Sequence, residues 1–390
     1  MKYYSSFQKY VPFHLEMWSE QRLTKSSHIA FFISSHGLGH AARAAGIMAA
    51  LHELNPGLHF EIFTAVPEWF FKDSLPGPFT IHSVLTDIGL VQKNPFNEDV
   101  PRSLKHLDSF FPFDSSRLEP VLKIVSDAAC NVILCDIAPM GIEVGKTLGI
   151  PSVLIENFTW DWIYERYVIK DKRIKVHIDY LNRLFDSADF HIQTIPVCNP
   201  KHVDITVRPV SRKPRTLPEK VRSELGIPGI APMVMITMGG IPQHFDIMET
   251  LRKHPEYYFV ISGGGESFIR DNNVIVLPYH SDYYHPDLIH ASNVVVGKSG
   301  YSTLAEVFYS GIPYIFVKRP TFRESEVFTP FIKKRMNGVG IPEEEFNTCS
   351  WLSFIPDLLK LQPIQRKQPH GGDQAAEYIL GLLDNLCRND

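Results

Sequence analysis

Two glycine-containing turns decide the fold of this 390-residue chain. Residues 34–43 read SSHGLGHAAR, and residues 297–306 read GKSGYSTLAE. Each turn follows an apolar run and precedes a segment with helical spacing, so each places a helix N-terminus at the carboxyl end of a strand. Backbone N–H groups and the helix dipole favour negative charge at that position. The two turns therefore predict two strand–turn–helix units that can each bind an anion.

Segments around the turns extend this pattern into two series of alternating strands and helices. In the first series we predict strands over residues 28–35, 58–66, 131–137, 150–156 and 189–195, with helices over 41–54 and 139–148. In the second series we predict strands over 233–238, 258–262, 274–277, 293–296 and 313–317, and helices over 244–253, 286–291, 302–309 and 330–336. Repeated βαβ units build parallel sheets with right-handed crossovers. The predicted fold is α/β, with two Rossmann-like parallel-sheet domains facing each other across a cleft.

Composition shifts along the chain suggest the domain boundaries. Residues 196–232 are rich in Pro, Lys and Arg and show no clear period, which is typical of a linker. Residues 67–120 lose the strand–helix alternation and are expected to form binding loops. We expect an extension over 1–27, a first domain over 28–210, a second over 215–365, and a C-terminal helix over 366–390 that returns to the first domain.

Charge, cysteine content and hydropathy exclude several classes of protein. The net charge of −4 and the pI near 6.5 argue against a dedicated nucleic-acid binder, which needs a basic face. The five cysteines include no C-x-x-C pair, which favours reduced thiols and a cytoplasmic protein over disulfides or a zinc site. No apolar run approaches the roughly 20 residues that cross a bilayer. We therefore expect a globular protein without a metal or other cofactor.

The first turn carries two histidines around its glycines. Gly37 and Gly39 permit a tight turn, and with Ala42 they match a dinucleotide fingerprint. A dinucleotide site also needs an acidic residue about 20 positions further on. Only Glu68, which follows a proline, is available there, and this disfavours a dehydrogenase.

The sequence leaves two interpretations of His36 and His40 open. They are either structural residues or parts of a ligand site at the carboxyl edge of the sheet. The dipole of the following helix disfavours a charged imidazole at His40, so the ring can act as a base. Asp136 ends the predicted strand 131–137 and can accept a hydrogen bond from that ring. It can equally cap the helix that begins near Pro139, and the two roles are compatible.

The second turn has the residue types of a phosphate site. Ser299, Gly300, Ser302 and Thr303 offer N–H and hydroxyl donors where a helix begins. Glu306 follows on that helix, where it either accepts from a ribose diol or simply stabilises the helix N-terminus. No D-x-D pair for a metal ion lies at either turn.

Other residues at predicted strand ends are candidates for donor binding. Glu324 and Glu326 lie after a third strand, where they accept from sugar hydroxyls or remain surface charges. The glycines that follow two further strands suit close approach of a diphosphate or a base, namely Gly239, Gly240, Gly263 and Gly264.

These motifs resemble the GT-B superfamily of inverting glycosyltransferases. The pattern from Ser299 through Thr303 to Glu306 is similar to the donor loop of the bacterial N-acetylglucosaminyl transferase that completes lipid II. The loop with Gly37, Gly39 and His40 is similar to the first loop of that family and of plant-type UDP-sugar transferases. The motif around His36 and the F-x-E-x-E motif at 322–326 also resemble the glycosyltransferase-like domain of L-arabinokinases.

The resemblance implies roles for individual residues. His40 would be the catalytic base, Asp136 would orient it, and Glu306 would hold the uridine ribose. The first domain would then bind the acceptor, and the second would bind a nucleotide-sugar donor, with UDP as the implied nucleotide.

The implied activity is inverting, metal-independent transfer of a sugar to an unknown hydroxyl acceptor, either lipid-linked or a small molecule. Two alternatives are a sugar-nucleotide epimerase on the same scaffold and a non-catalytic nucleotide-sugar binding protein. The basic segment 163–185 is typical of a solvated helix face or of peripheral contact with the inner face of an anionic membrane.

Overall fold

The computed structural model describes residues 27–94, 97–238 and 247–389. The strands of the first half are β1 (Ser27–Ile33), β2 (Leu58–Thr64), β3 (Phe79–Ser83), β4 (Gln92–Asn94), β5 (Asn97–Glu98), β6 (Val132–Asp136), β7 (Ser152–Glu156), β8 (Phe190–Thr194) and β9 (Ile205–Val207). Its helices are α1 (Gly39–Leu54), α2 (Glu68–Ser74), α3 (Val100–Phe110), α4 (Ser115–Asp127), α5 (Pro139–Leu148), α6 (Trp160–Glu165) and α7 (Lys175–Phe185), with a 3₁₀ turn at Lys172–Ile174.

The second half repeats the alternation. Its strands are β10 (Met233–Thr237), β11 (Tyr258–Gly265), β12 (Ile269–Asp271), β13 (Val274–Pro278), β14 (Val294–Lys298), β15 (Tyr314–Val317) and β16 (Gly338–Ile341). Its helices are α8 (Pro218–Glu224), α9 (Met248–Arg252), α10 (His285–Ala291), α11 (Tyr301–Ser310), α12 (Ser325–Arg335), α13 (Glu343–Asn347), α14 (Ile355–Leu358) and α15 (Gly371–Asn389), with a 3₁₀ turn at Ser350–Phe354.

Two seven-stranded sheets form the framework. The first has the order β3-β2-β1-β6-β7-β8-β9, and the second has the order β12-β13-β11-β10-β14-β15-β16. Neighbouring strands are parallel in both sheets, except that β12 runs antiparallel to β13. The strand order reverses between β1 and β6 in the first sheet and between β10 and β14 in the second. Ligands of open α/β sheets bind at such switch points, and each glycine turn follows one of these strands.

Small residues let α1 lie close to its neighbours. A Cβ atom added to Gly46 would lie only 2.6 Å from the carbonyl oxygen of Ser211, so this helix packs directly on the segment that joins the two sheets. The C-terminal helix α15 then buries Ala376, Ile379 and Leu383 in the same core cluster as α1. The last helix of the chain therefore packs on the first half of the molecule.

The predicted fold class is confirmed, and several local predictions are wrong. Residues 67–120 contain α2, β3, α3 and α4 in place of the expected loops. Asp99 and Asp114 cap α3 and α4 by accepting hydrogen bonds from the backbone N–H groups of Arg102 and Arg117, at 3.1 and 2.9 Å. An aspartate at such a position is a helix-start signal, and the sequence analysis did not use it.

Two further differences concern element boundaries. Strand β9 lies inside the segment that we expected to be an irregular linker, and α12 begins at Ser325, before the predicted start at residue 330. Of the predicted extension over 1–27, only Ser27 belongs to the described residues. Within the described part of the chain, no helix combines the length and apolarity needed to span a membrane.

Candidate active site

The carboxyl edges of the two sheets face each other across a cavity of ≈ 270 Å³. The first turns of α1 and α11 both line it, through residues such as Gly39 and Ser302. A Cβ atom added to Gly39 would lie 3.7 Å from the Ser302 hydroxyl oxygen, so the two glycine turns are in van der Waals range. Two helix N-termini therefore converge on one cavity, which favours a negatively charged ligand.

His40 and Asp136 form a buried pair at one wall of this cavity. His40 Nδ1 lies 2.9 Å from Asp136 Oδ1, and the carboxylate is fully buried. Because an ionised carboxylate only accepts hydrogen bonds, Nδ1 carries the hydrogen and the neutral ring keeps its lone pair on Nε2. Helix α5 begins after Ala138 with no side-chain cap, so the capping interpretation of Asp136 is wrong.

Arg43 completes this pair and was missed by the sequence analysis. Its Nε and Nη2 atoms donate to the two oxygens of Asp136, each at 2.7 Å, and the side chain is 1% exposed. Although burial would raise the pKa of Asp136, the charge and hydrogen bonds of Arg43 lower it, so the carboxylate stays ionised. Arg43 lies three positions after His40 on α1, and this same-face spacing is the signal that could have revealed it.

Arg43 also connects the two halves of the molecule. Its guanidinium lies 4.9 Å from the ring centre of Tyr301, the first residue of α11. Tyr301 in turn accepts a hydrogen bond from the backbone N–H of Val210 at 3.0 Å. One arginine thus fixes the histidine–aspartate pair relative to the second glycine turn.

The second turn places part of the predicted phosphate site in the cavity. Gly300, Ser302 and Thr303 line it. Ser299 does not, because its N–H and its hydroxyl both donate to the carbonyl oxygen of Val317, at 3.3 and 3.1 Å. The hydroxyl of Ser299 therefore holds the turn against β15 and is not a ligand donor in this conformation.

Glu306 lies outside the residues that line the cavity. One carboxylate oxygen accepts from Arg212 at 3.0 and 3.1 Å, and the other lies 2.7 Å from His285 Nδ1. The Arg212 guanidinium also lies 4.7 Å from the ring centre of Phe70 in the first half. Both oxygens are thus engaged, and the structure does not present Glu306 to a ribose. Arg212 comes from the segment between the sheets, which the sequence analysis left without a role.

Two basic side chains line the cavity beside the second turn, the half-buried Lys298 and the buried Arg319. Burial, aided by the charge of Arg319, lowers the pKa of Lys298 to about 7. Arg319 is 4% exposed, and its Nε and Nη2 atoms have no hydrogen-bond partner among the described residues. The sequence analysis assigned neither residue, although Lys298 ends β14 and Arg319 follows β15, at the sheet edge where ligands bind.

Glu324 and His36 also line the cavity. Burial raises the pKa of Glu324 to about 7, against the opposing effect of Arg319 and Lys298. Burial and the nearby positive charges lower the pKa of His36 to about 3, so its ring is neutral at neutral pH. Glu324 and His36, which are both predicted donor-site residues, therefore reach the cavity. The uncharged form of each side chain is more stable there than in water, relative to its charged form.

An aromatic wall closes the side of the cavity near His40. The Trp160 ring lies 5.1 Å from the His36 ring, and its indole N–H donates to Asp87 at 2.7 Å. Phe158 lies 6.0 Å from His40 and 6.3 Å from Phe322 of the second half, measured between ring centres. This wall is apolar, whereas the Lys298 wall is charged.

Gly37 also lines the cavity, whereas Gly263, Gly264 and Glu326 do not. Gly263 has a φ of +69°, and a Cβ on Gly264 would lie 2.6 Å from a methyl of Ile261, so these glycines allow an irregularity in β11. Glu326 is paired with Arg166 of the first half. Gly239 and Gly240 lie outside the described residues.

Comparison with known proteins gives a family match for part of the second half. Residues 249–329 match the glycosyltransferase family 28 C-terminal domain. The chain is 27% identical over 361 residues to an Arabidopsis thaliana L-arabinokinase, covering 91% of this chain and 34% of that protein. It is 26% identical over 197 residues to a Desulforudis audaxviator UDP-N-acetylglucosamine--N-acetylmuramyl-(pentapeptide) pyrophosphoryl-undecaprenol N-acetylglucosamine transferase, covering 43% and 52% respectively.

A solved structure supports the same fold. Arabidopsis thaliana UGT89C1 complexed with quercetin covers 92% of this chain and all of its own, with a TM-score of 0.59 and 12% identity. The chain spans about a third of the length of the L-arabinokinase. Together these matches confirm the predicted resemblance to GT-B glycosyltransferases.

We predict that Arg43→Met lowers the free energy of unfolding by about 3–5 kcal/mol, because it leaves the buried Asp136 carboxylate without its cation. Urea unfolding near neutral pH measures the change. The double variant Arg43→Met/Asp136→Asn should recover part of the loss, since the uncompensated charge is gone. Lys123→Met is the control, because it removes an exposed pair with Asp127 that contributes only about 0.3–0.5 kcal/mol. A wild-type value for Arg43→Met would contradict the assigned pairing.

Proposed function

We propose that this chain is an inverting glycosyltransferase that moves a sugar from a UDP-linked donor to a hydroxyl acceptor without a bound metal ion. The observation that carries this proposal is the shared cavity of the His40–Asp136 pair and the N-terminus of α11. A base on one wall and an anion-binding turn on the other are the two groups that such a transfer requires. The family match and the relatives named above support the same class.

In the proposed reaction, His40 Nε2 takes the proton of the acceptor hydroxyl. The hydroxyl oxygen then attacks the anomeric carbon from the face opposite the diphosphate, and the bond between that carbon and the diphosphate oxygen breaks. The diphosphate leaves with the electron pair, so the configuration at the anomeric carbon inverts. Asp136 orients the ring through Nδ1, and Arg43 shares the same carboxylate. Because Arg43 already neutralises the carboxylate, Asp136 contributes more to orienting the His40 ring than to stabilising its imidazolium form.

Metal independence is supported by the charged wall of the cavity. The Nε and Nη2 atoms of Arg319 have no hydrogen-bond partner in the described part of the chain, and Lys298 lies beside the turn, with its Cε 3.7 Å from where a Cβ of Gly300 would be. Charge-assisted hydrogen bonds from such groups neutralise developing phosphate charge. With the N-terminus of α11, they supply positive charge of the kind that a divalent cation provides in other transferases.

The donor and the acceptor are proposed on separate grounds. The name of the bacterial relative includes a UDP-sugar, and the resemblance assigns the ribose of the donor to Glu306. That contact requires Arg212 or His285 to release a carboxylate oxygen first. Peripheral membrane contact through 163–185 and a cytoplasmic location stay predictions. Ile169 is 91% exposed and Val176 is 71% exposed in that basic segment, as a membrane-contacting surface requires.

We predict that His40→Ala lowers sugar transfer by about 10²- to 10⁴-fold, the usual contribution of a general base. Its affinity for UDP should stay close to that of the wild type, because the diphosphate contacts lie on the opposite wall. Transfer is measured as UDP released from a panel of UDP-sugars with added hydroxyl acceptors, and binding by calorimetry. The anomeric configuration of the product, read by NMR, tests inversion.

The control for this variant is His254→Ala, an exposed histidine paired with Glu256 away from the cavity. It should change neither transfer nor binding. Wild-type turnover by His40→Ala would remove the proposed base. Conversion of the UDP-sugar to an isomer when no acceptor is present would instead identify an epimerase.

We predict that UDP affinity falls as the pH rises above 7. In the free protein the pKa of Lys298 is lowered to about 7, by burial first and by Arg319 second. A bound diphosphate raises the pKa of Lys298, so a deprotonated lysine takes up a proton when UDP binds. UDP binding therefore weakens at pH values at which Lys298 of the free protein is deprotonated. Between about pH 7 and 9, above the phosphate titration, the dissociation constant should rise on the order of tenfold.

Lys298→Arg is the matched variant, because its guanidinium remains charged throughout this range. Calorimetry should show a shallower pH profile for it, in which the slope that remains comes from ionisation of Glu324 in the same cavity. The same slope in both proteins, or no slope in the wild type, would contradict the assignment of Lys298 to the diphosphate.

A further inference from the structure

A cluster of three histidines and one glutamate lies on one face of the neighbouring strands β1, β2 and β3, outside the residues that line the cavity. His28 is near the start of β1, His59 is near the start of β2, and the strand register pairs them directly. Glu61 follows His59 by two residues and therefore lies on the same face of the sheet. His82 of β3 lies on that face too, because β3 pairs with β2 in parallel.

The ligand atoms of this cluster converge. His28 Nδ1 lies 3.3 Å from Glu61 Oε1, and His59 Nε2 lies 3.5 Å from the same oxygen. All three ligand atoms lie within 4.8 Å of one another. Tetrahedral Zn²⁺ with bonds of about 2.0–2.1 Å holds its ligands roughly 3.3–3.5 Å apart. Two of the distances already match this spacing.

We propose that His28, His59 and Glu61 form a binding site for a transition-metal ion of the Zn²⁺ class. Glu61 is 6% exposed, and its salt-bridge partners among the described residues are His28, His59 and His82. Neutral imidazole and carboxylate are the ligands that such ions prefer.

Two neighbouring residues fit the surroundings of such a site. His82 Nε2 lies 2.8 Å from the second oxygen of Glu61 and orients the carboxylate, as outer hydrogen-bond partners do for metal ligands. The Thr80 hydroxyl lies 2.8 Å from His59 Nε2. When the Thr80 hydroxyl donates this hydrogen bond, Nε2 of His59 carries no hydrogen. A metal ion then takes the place of the hydroxyl hydrogen and binds the lone pair of Nε2. Three protein ligands leave a fourth position for water.

This site differs from the sequence-based prediction of no metal. That prediction considered cysteine pairs and carboxylate pairs near the glycine turns, whereas these residues come together only through the pairing of β1, β2 and β3. His28 and His59 lie near the amino ends of their strands, whereas the cavity lies at the carboxyl ends, so an ion bound there would take no part in the proposed transfer reaction. A bound ion would crosslink β1 and β2 at the start of the first domain.

The test is a calorimetric titration of Zn²⁺ into the full chain, free of any histidine tag and stripped of metal, at about pH 7.5. We expect one saturable site per chain, its loss in His59→Ala and Glu61→Gln, and roughly 10- to 100-fold weaker binding in His82→Gln. The control is His254→Ala, which removes another histidine–glutamate pair and should bind Zn²⁺ as the wild type does.

Thermal unfolding with and without chelator shows whether each variant is folded and whether Zn²⁺ stabilises it. A folded His59→Ala protein that binds Zn²⁺ as tightly as the wild type overturns the proposal. So does a wild-type chain that binds no Zn²⁺. Because UDP binds at the other sheet edge, His59→Ala should retain wild-type UDP affinity, and this readout separates the metal site from the proposed transferase activity.

Discussion

The structure depends on one buried carboxylate, that of Asp136, which is shared by His40 and Arg43. A fully buried charge is unfavourable unless it is paired and hydrogen-bonded, and here three donor groups surround it. Arg43 neutralises the charge, and its guanidinium then packs on Tyr301 of the second half. The Arg43 guanidinium therefore both neutralises the buried carboxylate and sets the distance between the two glycine turns.

Contacts across the cleft hold the loop after β15 against the first half. Arg166 donates to the carbonyl oxygen of Pro320 at 2.8 Å, and Arg323 donates to Glu165 at 2.6 Å. The Tyr167 hydroxyl donates to the carbonyl oxygen of Thr321 at 3.2 Å. This loop carries Arg319 and Glu324 into the cavity, so these contacts with the first half hold both side chains in place.

Much of the framework could be predicted from the sequence, because apolar strands and glycine turns are local signals. Helix α5 over 139–148 and the strands next to the two turns follow directly from them. The pairing of His40 with Asp136 was also foreseeable, since both residues end or follow strands that meet at a sheet edge. Helices α3 and α4 were missed because aromatic and proline residues obscured their period, although their aspartate caps were visible.

The partners of buried charges were not foreseeable. Nothing local to Glu306 shows that Arg212, from the segment between the sheets, occupies its carboxylate. Arg319 could be seen as a polar residue after a strand, but its unpartnered N–H groups exist only in the folded chain. The sequence thus identifies which strand ends carry chemistry, whereas long-range packing decides which of those side chains share the cavity.

We infer that the cavity between the two helix N-termini binds a nucleoside diphosphate. In a crystal structure of the full chain with UDP, we expect diphosphate oxygens within about 3 Å of the Arg319 guanidinium and of the backbone N–H groups of Ser302 and Thr303. UDP bound elsewhere, with Arg319 Nε and Nη2 still lacking a hydrogen-bond partner among the described residues, would rule this site out.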